Sequence, residues 1–160
     1  MKEQRRSRRI AMSPEERDAF LDEQRTCRVA TAGAAGPHLT ALWFVWDGQA
    51  LWLTSIVKSQ RWTDIERDDR VSVLIDTGEA FGELRGVELR GRAHPVGESP
   101  RTGEPNEQLV EPERLFGAIT TPRSPWRRAK SPRHRSAAQA RRGRRAILAT
   151  PPPVGRTRVA

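Results

Sequence analysis

A short stretch of the chain carries side chains that can hold an anion. Thr54, Lys58, Ser59 and Arg61 fall within eight residues, after an apolar run and before a segment with helical spacing. Hydroxyl, ammonium and guanidinium groups donate hydrogen bonds to phosphate, and the start of a helix adds backbone N–H groups. The pattern predicts a phosphate-bearing cofactor bound where a strand leads into a helix.

A plainer interpretation of the same residues stays open. Lys58 and Arg61 can be solvated charges at a helix start, with Ser59 only its N-cap. Cations at that end oppose the helix dipole, so they make more sense if an anion binds nearby. His38, just after a Gly-Pro turn, is either a further contact to the cofactor or a polar strand residue, and the neighbouring cluster favours the first.

Two β-prone runs must position this cluster. Residues 38–46 and 50–55 flank an Asp-Gly pair, a strong signal for a hairpin turn. Aromatic side chains within a hairpin usually pack, so the tryptophans are expected in the core or at a dimer interface, with room for one of them to touch a flat ring. These tryptophans are Trp43, Trp46 and Trp52.

The remaining elements complete a mainly β chain with short helices. Ser13 and Glu16 form a capping box that begins a helix expected to run to about Arg25. The apolar spacing over residues 59–68 predicts an amphipathic helix with Asp64 on its surface. Further predictions are strands over residues 27–32 and 70–76, one bent strand or two short ones over residues 80–96, and a helix over residues 108–118.

The positive charge of the chain, formally +9, is concentrated at its two ends. Residues 121–160 hold 12 Lys and Arg and no acid, whereas residues 12–120 carry an excess of acids. We therefore divide the chain into a disordered basic leader over residues 1–11, a folded domain over residues 12–120, and an Arg/Pro/Ala-rich tail over residues 121–160 that is predicted to be disordered.

Two interpretations of the tail stay open. It is either a basic segment that binds nucleic acid or acidic surfaces, or the product of a reading-frame shift in a GC-rich gene, which we favour. Only residues 145–150 still resemble a strand. Trp126 is the single aromatic residue of the tail available for base stacking, so nucleic-acid binding is the weaker hypothesis.

Several other classes of site have no support in the sequence. Cys27 is the single cysteine, so no intrachain disulfide can form, and a cytoplasmic location is expected. His94 and His134 have no ligand-like partners, so no metal site is predicted. No apolar run reaches the ~18–20 residues that span a membrane. Glycine-rich phosphate loops and nucleophile elbows are also lacking.

Several blocks within residues 12–97 resemble the split β-barrel flavoproteins related to pyridoxamine 5′-phosphate oxidase. Within that family they are similar to the actinobacterial subgroup assigned to the deazaflavin coenzyme F-420. The blocks that carry the resemblance follow one another in the expected order, and they are residues 29–31, 36–44, 58–61, 69–74 and 84–87.

The resemblance implies a homodimer of six-stranded split barrels of the FMN-binding type, with two cofactor sites at the dimer interface. The partner subunit contributes through residues 84–90. Relatives usually have Lys in place of Arg61. The side chains that the resemblance assigns to the cofactor are His38, Leu39, Thr40 and Trp43 for the ring of F-420 or FMN, and Thr54, Lys58, Ser59, Gln60 and Arg61 for its phosphate.

The function implied is that of an oxidoreductase that passes hydride or electrons to a small-molecule substrate. The chemistry lies mainly in the cofactor, so we nominate no catalytic acid or base. A non-catalytic flavin- or haem-binding protein on the same barrel stays open. Relatives continue after the last helix into a closing strand, and the composition of the tail predicts that this strand is missing, which would expose an unpaired edge.

Overall fold

The computed structural model describes residues 11–120 and 145–150, so the other residues of the predicted leader and tail lie outside the described residues. The chain consists mainly of β-strands with short helices between them, as the sequence predicts. The helices are α1 (Pro14–Glu23), α2 (Gln60–Arg67) and α3 (Val110–Thr120), and the strands are β1 (Thr26–Gly33), β2 (Gly36–Trp46), β3 (Leu51–Ile56), β4 (Arg70–Thr77), β5 (Arg85–Arg92), β6 (His94–Val96) and β7 (Arg145–Thr150).

The predicted capping box begins α1. The Ser13 hydroxyl accepts a hydrogen bond from the backbone N–H of Glu16 at 3.2 Å, and the Ser13 N–H donates to the Glu16 carboxylate at 2.8 Å. Two otherwise unpaired backbone donors are satisfied in this way. The helix ends at Glu23, two residues before the predicted end, and buries Phe20 and Leu21 against the sheet.

All the described strands pair antiparallel, in the order β5-β4-β1-β2-β3-β7-β6. Strand β2 serves both halves of the sheet, because residues 36–43 pair with β1 and Phe44–Trp46 pair with β3. The strands at the two ends of the order, β5 and β6, are separated in the chain by Ala93 alone. This short link forces the sheet to curl until its ends meet.

The turn between β2 and β3 is fixed by one carboxylate, as the Asp-Gly pair predicts. The Asp47 side chain accepts from the N–H groups of Gln49 and Ala50 at 2.8 and 2.7 Å, and from the indole N–H of Trp52 at 2.6 Å. Gly48 has φ +89°, a conformation that side chains disfavour. These hydrogen bonds therefore fix the turn of the hairpin that leads into the predicted anion cluster.

The core forms where β-branched side chains alternate along the strands. Val71, Val73 and Ile75 of β4 are buried together with Val29 of β1 and Val87 of β5. Successive side chains of a strand point to opposite faces, so the residues between them lie on the outer face of the sheet. Residues 80–96 form the two short strands that were one of the two expectations, after a single 3₁₀ turn over Phe81–Glu83.

Strand β7 lies within the stretch predicted to be a disordered tail. It pairs with β3 from Leu51 opposite Thr150 to Ile56 opposite Arg145, and its other edge pairs with β6. The expectation that the closing strand is missing is not confirmed, because β7 covers the edge of β3. The strand-like composition of residues 145–150 was the local signal for it, and the pairing partner is far away in sequence.

Candidate functional site

A cavity of about 500 Å³ opens where α2 and α3 approach β2 and β3. Pockets of roughly 300–1,000 Å³ hold drug-sized ligands and cofactors. The wall is apolar apart from three hydroxyl groups and one guanidinium, which suits a flat ring with an anionic substituent. The lining residues are Thr26, Ala41, Leu42, Trp43, Thr54, Ser55, Ile56, Arg61 and Phe116.

Arg61 is the cation of this cavity and is only 7% exposed. Its Nη1 donates to the Thr40 hydroxyl at 2.8 Å, and its Nη2 donates to the Ser55 hydroxyl at 3.2 Å. The buried Nε–H has no hydrogen-bond partner. Two of the three guanidinium nitrogens are thus held by the fold, and each keeps a second N–H that these two bonds do not use, while the third nitrogen is buried and unpaired.

No negative charge of the chain compensates Arg61 within the part that the structure describes. No carboxylate lies within the 4.0 Å that defines an ion pair. Burial lowers the pKa of Arg61 from its ordinary value because desolvation penalises the charged form. Guanidinium groups nevertheless stay protonated in proteins. A bound anion would supply the missing charge.

Two serines lie near this guanidinium, Ser55 near the end of β3 and Ser59 just before α2. Ser59 is the N-cap, and its hydroxyl accepts from the backbone N–H of Trp62 at 3.3 Å. The hydroxyls of Ser55 and Ser59 are 3.5 Å apart. Ser59 therefore caps α2, and its hydroxyl also lies near the Ser55 hydroxyl that accepts a hydrogen bond from Arg61. Ser55 was not among the predicted site residues, although its place between Thr54 and Lys58 was a signal for it.

Lys58 precedes the helix in an unusual backbone conformation. Its φ is +68°, in the left-handed region that non-glycine residues rarely adopt. The N–H of Ser59 donates to the carbonyl of Ile56 at 3.1 Å, so Lys58 occupies the third position of a tight turn. The side chain is exposed, and the turn holds it at the same end of α2 as Arg61.

The predicted ring-contacting residues of β2 divide between two faces of the strand. Thr40 faces Arg61, whereas Leu39 and Trp43 belong to the alternate, outward set and are 63% and 53% exposed. Trp43 and Thr54 line the cavity, and Leu39 does not. The structure therefore brings Thr40, Trp43, Thr54 and Arg61 together and leaves Leu39 on the neighbouring surface.

His38 and Gln60 face a buried carboxylate. The side-chain amide of Gln60 donates to Asp64 Oδ1 at 2.8 Å, and His38 Nδ1 lies 3.4 Å from Asp64 Oδ2. Thr31 donates to Oδ2 at 2.9 Å. Hydrogen bonding, chiefly from Gln60, lowers the pKa of Asp64, so the carboxylate stays ionised inside the protein.

The prediction that Asp64 lies on the surface is wrong, since Asp64 is 0% exposed. The sequence contained a signal for its burial. Asp64 is three residues after Arg61 and two after Trp62, and it adjoins Ile65, so it shares the buried stripe of α2. A polar residue within that stripe requires partners that only the folded chain brings together.

Other kinds of site receive no support within residues 11–120 and 145–150. These residues contain no group of three or more His, Cys, Asp or Glu side chains that could hold a metal ion. None of their helices is both long enough and apolar enough to span a membrane. Burial raises the pKa of the Cys27 thiol to about 12, so this thiol stays protonated.

Comparisons with known proteins identify the family and the fold of the chain. A family model described as pyridoxamine 5′-phosphate oxidase matches residues 13–131. No curated protein sequence matches the chain. A conserved hypothetical protein from Mycobacterium tuberculosis is similar in structure, with 28% identity and a TM-score of 0.64, over 98% of this chain and 89% of that one.

Two further solved structures establish the fold. A FAD-binding protein from Mesorhizobium loti has a TM-score of 0.64 at 14% identity, over 92% of this chain and 91% of that one. An F420 reductase has a TM-score of 0.58 at 21% identity, over 84% of this chain and 91% of that one. The predicted split barrel is confirmed by these likenesses and by the pairing of the described strands.

Proposed function

The chain belongs to the pyridoxamine 5′-phosphate oxidase family, and from that premise we propose that it is an oxidoreductase that binds F-420 or FMN. In this proposal it works in the cytoplasm and passes hydride or electrons to a small-molecule substrate. The solved relatives that are named as a FAD-binding protein and an F420 reductase support a flavin-type cofactor.

The observation that carries the proposal is the uncompensated buried charge of Arg61. A buried cation without a counter-charge is costly, and such groups are kept where they do chemistry or bind a ligand. Arg61 and the Ser55 hydroxyl line the cavity, and Ser59 and Lys58 lie next to them where α2 begins. These groups fit a phosphate and would hold it at the start of α2.

The rest of the cavity suits the ring of the cofactor. Leu42, Trp43, Ile56 and Phe116 provide apolar and aromatic surface, and Thr54 provides a hydroxyl. The bound flavin or deazaflavin supplies the hydride chemistry. In this proposal the chain holds the phosphate, orients the ring against β2 and keeps water from its buried face.

A homodimer completes this proposal. Leu39, Ala41 and Trp43 alternate on the outer face of β2, and the large exposed fractions of Leu39 and Trp43 mark a surface for a partner. A second copy on this surface would also form a wall of the cavity, because Ala41 and Trp43 line both. The cofactor would then lie at the dimer interface.

Parallel titrations with FMN, F-420 and haemin test the proposal. We expect FMN or F-420 to bind, and replacement of both Lys58 and Arg61 by Ala to weaken that binding by about 2–4 kcal/mol, at roughly 1–2 kcal/mol per charge-assisted contact. A matched control replaces two exposed cations elsewhere, Arg70 and Arg114, by Ala.

Unchanged affinity in the Lys58 and Arg61 variant would contradict the phosphate assignment. Binding of haemin in preference to both other ligands would favour the non-catalytic haem-binding alternative. Reduction of the bound cofactor by a hydride donor, followed spectroscopically, separates an oxidoreductase from a protein that only stores the flavin.

A further inference from the structure

Two buried charges of opposite sign lie on one helix without pairing. Arg61 and Asp64 are three positions apart in α2, a spacing that makes side chains neighbours on a helix surface. They are only 7% and 0% exposed. The basic side chains within 4.0 Å of the Asp64 carboxylate are His38 and Arg67, and no ion pair joins it to Arg61 among the described residues.

Hydrogen bonds from two other elements account for this arrangement. Gln60, in the first turn of α2, donates to Oδ1 at 2.8 Å, and Thr31 of β1 donates to Oδ2 at 2.9 Å. Both carboxylate oxygens of Asp64 are therefore engaged. Arg61 turns to Thr40 and Ser55 instead, which are neutral acceptors and leave its charge uncompensated.

We propose that Gln60 and Thr31 are positioning residues that hold the Asp64 carboxylate away from Arg61 and so keep the guanidinium available to a ligand anion. An Arg–carboxylate pair is strong and often bidentate, so a released Asp64 would occupy the donors that the phosphate needs. The inference rests on the proposed function, because the anion it concerns is the phosphate of the cofactor.

This role differs from a direct contact between Gln60 and the cofactor, which the family resemblance implied. In a direct contact, loss of the amide removes a ligand donor, and Asp64 is irrelevant. In the positioning role, loss of the amide frees a competing carboxylate, and removal of that charge cures the defect. The two roles therefore predict opposite results when Asp64 is neutralised.

The test measures the affinity for FMN and for F-420 by fluorescence titration in a set of variants. Gln60→Ala is expected to weaken binding about tenfold, a coupling typical of residues in one polar network. The double variant Gln60→Ala with Asp64→Asn is expected to return to within about twofold of the unmodified chain. Glu66→Gln, an exposed neutralisation on the same helix, is the matched control and is expected to change nothing.

Thr31→Val provides a second route to the same result if Gln60→Ala unfolds, as judged by its melting temperature. It frees Oδ2 in place of Oδ1, and Asp64→Asn should rescue it as well. The Arg61 Nε–H resonance gives a readout independent of binding, since it should shift in Gln60→Ala and return in the double variant.

The outcomes separate this inference from the proposed function. If Arg61→Ala leaves affinity unchanged, the proposed phosphate site itself is wrong. If Arg61→Ala weakens binding but Asp64→Asn fails to rescue Gln60→Ala, the phosphate site stands and the positioning role is overturned. Rescue together with a returning Arg61 resonance supports the positioning role.

Discussion

Arginines occupy two contrasting settings in this protein. On the outer face of the sheet they are exposed and paired, as Arg28 is with Asp76 and Arg92 is with Asp69. In the first turn of α2, Arg61 is buried and has no carboxylate partner among the described residues. Exposed pairs contribute little to stability, while a buried unpaired charge is costly. Stability therefore explains neither setting fully, and the ligand anion that we propose would account for the second.

Replacing an arginine by methionine in each setting gives the largest expected contrast. Arg61→Met should weaken cofactor binding about 30-fold or more without lowering the free energy of unfolding, because an apolar chain of similar volume removes a buried charge. Arg28→Met should leave binding unchanged and lower the free energy of unfolding by about 0.2–1 kcal/mol. Titration and urea unfolding of both variants measure these effects.

A large loss of stability in Arg61→Met would break the contrast. A loss above about 3 kcal/mol is what removal of one partner from a buried network produces. In that case the hydrogen bonds to Thr40 and Ser55 would be the reason for Arg61, and the cavity would need another explanation.

Lys58 lies near Arg61 at the start of α2, and its backbone offers a second test of whether this region is built for a ligand rather than for stability. Its left-handed backbone is strained, so Lys58→Gly should raise the free energy of unfolding by about 0.5–1 kcal/mol while weakening cofactor binding. Lys58→Ala is the matched control, because it keeps a Cβ on the strained backbone while removing the ammonium group with the rest of the side chain. If Lys58→Gly is no more stable than Lys58→Ala, the strain is not real.

The dependence of the free energy of unfolding on pH in acid gives the smallest expected effect, and it tests one carboxylate from each setting. Asp68 accepts from Arg70 and has a pKa of about 2, below the ordinary 3.8, and the pKa of Asp64 is lowered mainly by Gln60. Both pKa values are lower in the folded state, so the stability they contribute is present above pH 3.8 and is lost as the pH falls below it, which for Asp68 extends towards pH 2.

Variants in which either aspartate is replaced by a neutral residue should lose less stability as the pH falls. Urea midpoints of Asp68→Asn and Asp64→Asn, measured against pH, should fall less steeply in acid than those of the unmodified chain. Glu66→Gln serves as the control, since it neutralises an exposed carboxylate of α2. An unchanged slope in Asp68→Asn would show that its pairing with Arg70 does not persist in solution.

Local features of this fold could be predicted from the sequence because the contacts that create them are local. The capping box of Ser13 and Glu16 and the turn at Asp47 each join residues within five positions of one another. The cluster from Thr54 to Arg61 was also visible, since a strand end and a helix start fix its geometry. Roles within the cluster remain proposals.

Non-local features could not be predicted in the same way. The buried Asp64 carboxylate accepts a hydrogen bond from Thr31 of a distant strand, and no pattern in residues 59–68 indicates that donor. The pairing of β7 with β3 joins residues that are far apart along the chain. Periodicity identifies the face of an element, but the partner on that face comes from the topology.

Strand β2 is shared by the two halves of the barrel, so its register against β1 and its register against β3 are coupled. Side chains of a strand alternate, so a slip of one residue against β1 would turn Thr40 outward and Ala41 towards Arg61. Phe44–Trp46 are anchored against β3 at the other end of the same strand, so that slip cannot be absorbed locally. The pairing of these apolar residues at the far end of β2 thus fixes which side chains of the strand face the proposed anion site.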